Sequence, residues 1–407
     1  MELRTRGWDI LAWAKGLIVV AAIASLCAEF NLSQFRSAFA RWPAGQRPSL
    51  ASRLGTWDVA HYLRLSQDGY EAGSKSCAFY PLWPATIRLG ASLTGGRPLL
   101  AATLLANALS LVGLWMLYRL MERHYGPEIS RDALILLLAS PGALFLSFAY
   151  SESVYLSILM VFFWGLELDR WSWVAVAGFL LPLTRATGVF VLAPLAWWLW
   201  EKRRAEGGEL RACRRGRGPR SEEEPAETPR SPVHAPRAWL LGIRAWLLLL
   251  WPLLGYVAYF ALMRVWTGNA LEGFAAQKAY PNSPSISNMF DVTGFSHALV
   301  NVQTLDGMMD SALDRGFFLI FLASLLAIYR LSKLEFFYVL PAGLVPALTS
   351  WFMSYRRYFV VLFPTFVVLA LLLREAKSRF LFWSCAAALA ALQACALTRF
   401  LTFNWAG

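Results

Sequence analysis

Charge is scarce in this chain. Aspartate, glutamate, lysine and arginine make up 16% of its 407 residues, against about a quarter in an ordinary soluble domain. Hydrophobic residues supply 57%, and apolar runs of roughly 17 to 25 residues recur, each long enough to cross a hydrocarbon core of about 30 Å. A soluble fold is excluded, and the reading is an all-α polytopic membrane protein. Cysteine is also sparse. The five cysteines show no CxxC or Cys/His spacing, so no metal site or disulfide framework is legible; Cys27 with Cys77 is the one pairing that a shared outer side would allow. No P-loop, GxSxG or HExxH sequence occurs, which removes the nucleotidase, serine-hydrolase and zinc-peptidase readings. The net charge of +12 does not require nucleic acid, because Lys and Arg gather at the ends of apolar runs, where insertion topology places them.

The clear spans are Ile10–Ala28, Leu99–Leu120, Ala133–Phe148, Val154–Leu168, Trp239–Val265, Phe317–Ile328, Phe336–Phe352, Phe359–Leu373 and Phe380–Leu397. The first follows Arg4 and Arg6 without a convincing cleavage site, and reads as a retained helix. Phe79–Leu93 is short and carries Pro81, Pro84 and Arg88, which suits an interfacial helix. Trp173–Trp200 is too long for one span and contains Pro182, Arg185, Gly188 and Pro194, which suits two short helices broken near Arg185. With those two readings, the basic clusters Arg119/Arg123/Arg131, Arg330/Lys333 and Arg374/Lys377/Arg379 all fall inside. The result is about eleven spans in a single domain covering residues 1–407. Residues 31–98 form an outer loop with interfacial helices, 201–237 a disordered cytoplasmic loop rich in Arg, Glu, Pro and Gly, and 267–313 a second outer loop.

This topology collects the unusual polar residues on the outer side. In "GTWDVAHYLRLSQDGY", Asp58, His61 and Arg64 follow Trp57 at three-residue steps, on a short interfacial helix anchored by aromatic side chains. Asp58 also suits a helix cap, with His61 on the solvated side. Glu152 sits at the junction of two spans in "FAYSESVY", favourable near a helix N-terminus. Arg185 lies between two half-length helices, where an ionisable residue at membrane depth points to a partner or ligand. Arg356 and Arg357 occupy the outer turn "MSYRRYF", against the positive-inside trend, and guanidinium forks hold phosphate well. Gln277, beside Lys278, lies where the second outer loop returns towards the bundle.

One proton acceptor with several phosphate-binding candidates, facing a lipid-lined groove, suits a glycosyltransferase whose sugar donor hangs from a lipid phosphate. "TWDVAHYLRLSQDGY", "AFYPLWP", "SPGALFLSFAYSES" and "TRATG", in that order, together with the terminal "FNW", resemble the PIG-V family, the GPI mannosyltransferase II group of the GT-C superfamily. The chain departs from the family in following Arg185 with Ala186-Thr187-Gly188, where Ser-Asn-Gly is usual. The resemblance implies a GT-C transmembrane bundle using a polyprenyl-phosphate mannose donor and a glycan or glycolipid acceptor, with inversion to an α-mannoside. It implies Asp58 as general base and His61 as its catalytic neighbour. Trp57, Arg64, Glu152, Arg185, Gln277, Arg356 and Arg357 are the substrate-binding candidates, the last two from charge placement. A lone Trp-Asp lacks the paired carboxylates of a DxD site, so no metal and no other cofactor is expected. The compact chain suits a bacterial plasma membrane with the site outside, or a luminal site in the endoplasmic reticulum if eukaryotic. The alternatives are a lipid-linked sugar flippase or transporter, a related enzyme using another polyprenyl-phosphate sugar, and a non-enzymatic scaffold.

Overall fold

The computed structural model describes residues 2–38, 41–43, 47–215, 245–280 and 284–406, and their regular structure is helical apart from one isolated bridge between Thr304 and Ser311. Five helices among these residues are long and apolar enough to cross a membrane: Gly7–Ser25, Pro98–Tyr125, Leu247–Thr267, Ala312–Leu331 and Arg379–Leu401. The chain is a multi-pass integral membrane protein. Two further expected spans are divided near prolines, whereas Glu152–Glu167 and Lys333–Ser350 run unbroken. Ala133–Phe148, expected as one span, is an α-helix over Pro127–Ala139 followed by a tight 3-10 stretch over Pro141–Leu146. Phe359–Leu373 likewise divides into Tyr355–Phe359 and Phe363–Glu375. At about 1.5 Å per residue, the 14 residues of Trp171–Thr184 fall short of a full crossing.

Local chemistry accounts for the boundaries that shape the site. Pro98 and Pro127 sit in the first turn of their helices, where the missing N–H is no loss. Ser311, Ser332 and Ser378 cap the helices Ala312–Leu331, Lys333–Ser350 and Arg379–Leu401 through their side chains. The Trp173–Trp200 run breaks as expected: Arg185 is extended (φ −158°, ψ 152°) between Trp171–Thr184 and the 3-10 stretch Ala186–Val191. A Cβ at Gly188 would lie 2.2 Å from the Leu181 carbonyl carbon, so the folded-back chain admits only glycine there. The Phe79–Leu93 run forms the helix Leu82–Leu93, whose Trp83 indole donates to the Ala149 carbonyl at 3.0 Å.

The helix beginning at Leu192 continues to Arg215. The segment expected to be disordered from Glu201 therefore starts as helix, and 216–237 lies outside the described residues. Cys27 and Cys77, whose pairing a shared outer side would allow, are both free thiols, the first exposed and the second buried. Lys15 projects from the first helix (Glu2–Ser25) into the bundle and donates to Asn107, Ser110, the Leu146 carbonyl and Ser147 at 2.8–3.1 Å. It ties that helix to the 3-10 stretch leading to Glu152.

Candidate active site

Two backbone turns with uncommon geometry bring the site together. Trp57 precedes the helix Asp58–Asp68 with φ 52° and ψ −129°, so it holds the N-cap position without a side-chain cap bond. Asp58 is the first helical residue and not the cap. The conformation at Trp57 costs on the order of 1–3 kcal/mol, and the C-terminal tail holds it. Its indole stacks on Phe403 at 5.3 Å, meets Trp405 edge-on at 5.3 Å and donates to the Asn404 carbonyl at 3.2 Å. The second turn contains Trp351, Phe352 and Ser354, all at positive φ, and leads into Tyr355–Phe359. Gly142 admits that short helix to the core, since a Cβ there would sit 2.2 Å from the Arg356 carbonyl oxygen.

These turns place four charged side chains in one continuous cluster. Arg357 donates through Nη1 to Asp58 Oδ2 at 2.6 Å and through Nε to Glu152 Oε1 at 2.8 Å. Arg185 Nη1 lies 2.6 Å from the same Glu152 oxygen. Glu152 is wholly buried, while the Asp58 side chain keeps 25% of its surface open. The arginine side chains retain 13% at Arg185 and 9% at Arg357. The Arg357 guanidinium lies over the Tyr150 ring at 4.6 Å, and that of Arg185 over Tyr358 at 4.8 Å. Such stacking shields a charge without neutralising it.

A cavity of about 400 Å³ opens beside the cluster. Asp58 is the acidic side chain in its wall among the described residues, and Arg185 and Arg357 are the guanidinium groups. Trp57, His61 and Gln277 also line it, with the aromatic rings of Phe79, Tyr80, Tyr280, Tyr358, Phe403 and Trp405. His61 stacks on Phe79 at 4.7 Å, its Nδ1 is 2.8 Å from Ser76 Oγ and its Nε2 is 3.3 Å from the Tyr280 hydroxyl. Burial pushes its pKa down to about 4, with Asp58 opposing the shift and Arg64 and Lys75 reinforcing it. His61 is therefore neutral at physiological pH. The Tyr62 hydroxyl donates to Ser151 at 3.0 Å, joining the Asp58 helix to the turn that carries Glu152.

Three expected substrate contacts are not on the cavity wall. Arg64 is exposed on another side of its helix. Three-residue steps slip backwards by about 60° each on a helix of 3.6 residues per turn, so Arg64 cannot share the face of Asp58. Arg356 is buried away from the cavity: its guanidinium pairs with Asp306 and Asp314, and its backbone N–H donates to Asp314 Oδ1 at 2.9 Å. Glu152 lies behind the two arginines and orients them. Tyr62, Tyr280, Tyr358 and Trp405 belong to the site but were not among the expected residues. The aromatic tail "FNW" was the available signal for Trp405; the tyrosines are unremarkable in a chain with 14 of them.

Residues 46–201 match the family model of the mannosyltransferases (PIG-V), a stretch containing Trp57, Asp58, His61, Glu152 and Arg185. Over that segment, the chain is similar to the PIG-V mannosyltransferases. Arg357, Gln277 and the aromatic tail lie outside the PIG-V match and join it only in three dimensions. No curated protein matches the chain. Among solved structures, the chain is similar to archaeal oligosaccharyltransferase AglB from Archaeoglobus fulgidus, solved with an inhibitory peptide and a dolichol-phosphate: TM-score 0.42, 13% identity, covering 97% of this chain and 56% of that one. ArnT from Cupriavidus metallidurans, bound to undecaprenyl phosphate, gives a TM-score of 0.30 at 12% identity, covering 90% of this chain and 79% of that one. The chain thus spans about half the length of AglB.

Proposed function

We propose that the chain is a GT-C type mannosyltransferase that moves mannose from a polyprenyl-phosphate donor to a hydroxyl of a lipid-linked or glycan acceptor, with inversion and an α-linked product. The observation that carries this reading is the placement of Asp58 and two guanidiniums on one aromatic-walled cavity. As the acceptor oxygen attacks the anomeric carbon, Asp58 takes its proton. The bond from that carbon to the phosphate oxygen breaks, its electron pair stays on the phosphate, and Arg185 and Arg357 compensate the added charge. His61, neutral and held by Ser76 and Tyr280, positions the acceptor or Asp58. Gln277 contacts the sugar, whose faces fit the aromatic walls. No metal is needed for this sequence of events.

The proposed architecture is a GT-C bundle of about eleven crossings, several by short or broken helices, with 31–98 and 267–313 outside and 201–237 cytoplasmic. The site then faces outward from a bacterial plasma membrane, or into the lumen of the endoplasmic reticulum in a eukaryote. The test is transfer by membrane fractions from radiolabelled polyprenyl-phosphate mannose, against the glucose and arabinose analogues. Mannose transfer that the others do not match is the expected result. Transfer of another sugar alone would change the donor, and transfer of none would remove the enzymatic reading.

A further inference from the structure

The cluster contains an internal conflict. Arg357 is offered to a donor phosphate, yet its Nη1 is already given to Asp58, the carboxylate that must accept a proton. At 2.6 Å the Arg357 N–H occupies the Asp58 Oδ2 oxygen to which an acceptor proton would pass. The charges also balance without any ligand: Arg185 and Arg357 against Asp58 and Glu152. An incoming phosphate on the same guanidinium fork would face the Asp58 carboxylate at close range, where like charges repel.

The geometry offers a resolution. Arg357 is fixed at one end, where Nε stays on the fully buried Glu152 and the guanidinium rests against the adjoining Phe145 and Tyr150 rings at 5.0 and 4.6 Å. At its other end, Nη1 reaches Asp58, whose partly open side chain borders the cavity. We propose that Arg357 is an exchange residue: donor phosphate takes Nη1 from Asp58, and that loss frees the carboxylate to act as base. Donor binding thereby arms the proton acceptor, and Asp58 and the phosphate compete for one guanidinium nitrogen. In the transfer step, the acceptor O–H proton passes to the released Asp58 carboxylate. The acceptor oxygen bonds to the anomeric carbon, and the C–O–P electron pair leaves with the phosphate, which gains one negative charge beside Arg357 and Arg185. No oxidant, metal or further co-reactant enters the balance.

This inference rests on the reading that the two arginines hold the donor phosphate, and one binding experiment separates the two. The probe is a polyprenyl phosphate, titrated onto purified protein in lipid nanodiscs. Arg185→Ala should weaken its binding at least tenfold, which tests the phosphate site alone. Asp58→Asn removes the competing charge and keeps the shape; Asp58→Ala removes the contact altogether and serves if the first variant misfolds. If the exchange operates, both bind the probe more tightly than the unaltered protein, by roughly tenfold. If Asp58 instead braces Arg357 for a phosphate held elsewhere on the fork, both variants bind as before or more weakly while Arg185→Ala still loses affinity. That result would overturn the exchange and leave the phosphate site standing. Unaltered affinity in Arg185→Ala and in both Asp58 variants would remove both.

Discussion

Two clusters of arginine surround a buried carboxylate, one at Asp132 near the start of the helix Pro127–Ala139 and one at Glu152, the first residue of Glu152–Glu167, and they do different work. In the first, Asp132 is fully buried and accepts from Arg131, Arg374 and Arg379 at 2.9–3.1 Å, with Glu128 on Arg374. Its arginines come from helix ends and keep 28–53% of their side chains open. Carboxylates near the start of one helix and arginines near the end of another also suit the helix dipoles, and the ensemble locks three helix termini. In the second, Glu152 is equally buried and holds Arg185 and Arg357, but those guanidiniums face a cavity whose wall also contains Asp58. Burying a carboxylate among arginines does not by itself make a site. Glu128 gives the first cluster a further, open carboxylate too; what distinguishes the Glu152 cluster is a space for something to enter, with Asp58 in its wall.

The largest expected effect falls on the shared element of the second cluster. Glu152→Gln leaves two buried guanidiniums without their common counter-charge, at a cost of about 3–5 kcal/mol. Thermal unfolding in detergent should drop sharply, with transfer lost in whatever protein remains folded. A stable, active Glu152→Gln variant would show that Arg185 and Arg357 need no internal counter-ion. Asp132→Asn should also destabilise, but the residual folded protein should keep its donor affinity, because nothing around Asp132 faces the cavity.

Arg185→Ala and Arg356→Ala sharpen the contrast one residue at a time. The first should lower apparent donor affinity roughly ten- to hundredfold, as loss of a charge-assisted hydrogen bond of about 1.5–3 kcal/mol implies, with lysine restoring only part. The second should reduce thermal stability and leave donor saturation alone, since Arg356 serves Asp306 and Asp314. Equal donor defects in both would return Arg356 to the phosphate site.

The smallest expected effect concerns pH. The His61 pKa is lowered to about 4 in the folded protein, below its unfolded value of about 6.5. Its contribution is therefore fully present above pH 6.5 and is lost as pH falls towards 4, because the unfolded chain takes up the proton first. Between pH 7 and pH 5 this amounts to about 2 kcal/mol. Melting temperatures of the unaltered protein should fall over that range more steeply than those of His61→Gln. Parallel curves would mean that His61 titrates normally.

Much of this was legible in the sequence, for identifiable reasons. Long apolar runs and basic turns displayed the membrane class, and Pro182, Arg185 and Gly188 marked the break that presents Arg185. Trp57, Asp58 and His61 followed from a polar segment with aromatic anchors. The division between Arg356 and Arg357 was not legible. Adjacent residues on a short helix point about 100° apart, and the side that faces the cavity is decided by residues more than 40 positions away, Asp306 in a loop of no clear pattern and Asp314 in the first turn of Ala312–Leu331. Glu152 was visible as a junction residue, but its place behind the arginines depends on three segments converging. Arg64 misled because a repeated three-residue spacing looks like a stripe and is a spiral.

The most direct test of the account compares the initial rate of mannosyl transfer by the unaltered protein and by Asp58→Asn, both purified and at saturating donor. The variant keeps the shape of the side chain and cannot take a proton. The expected result is a rate at least about a hundredfold lower in a variant that stays folded, its melting temperature lowered only by loss of the Arg357 ion pair. A near-normal rate in a well-folded Asp58→Asn variant would contradict the account, since no other acidic side chain among the described residues lines the cavity.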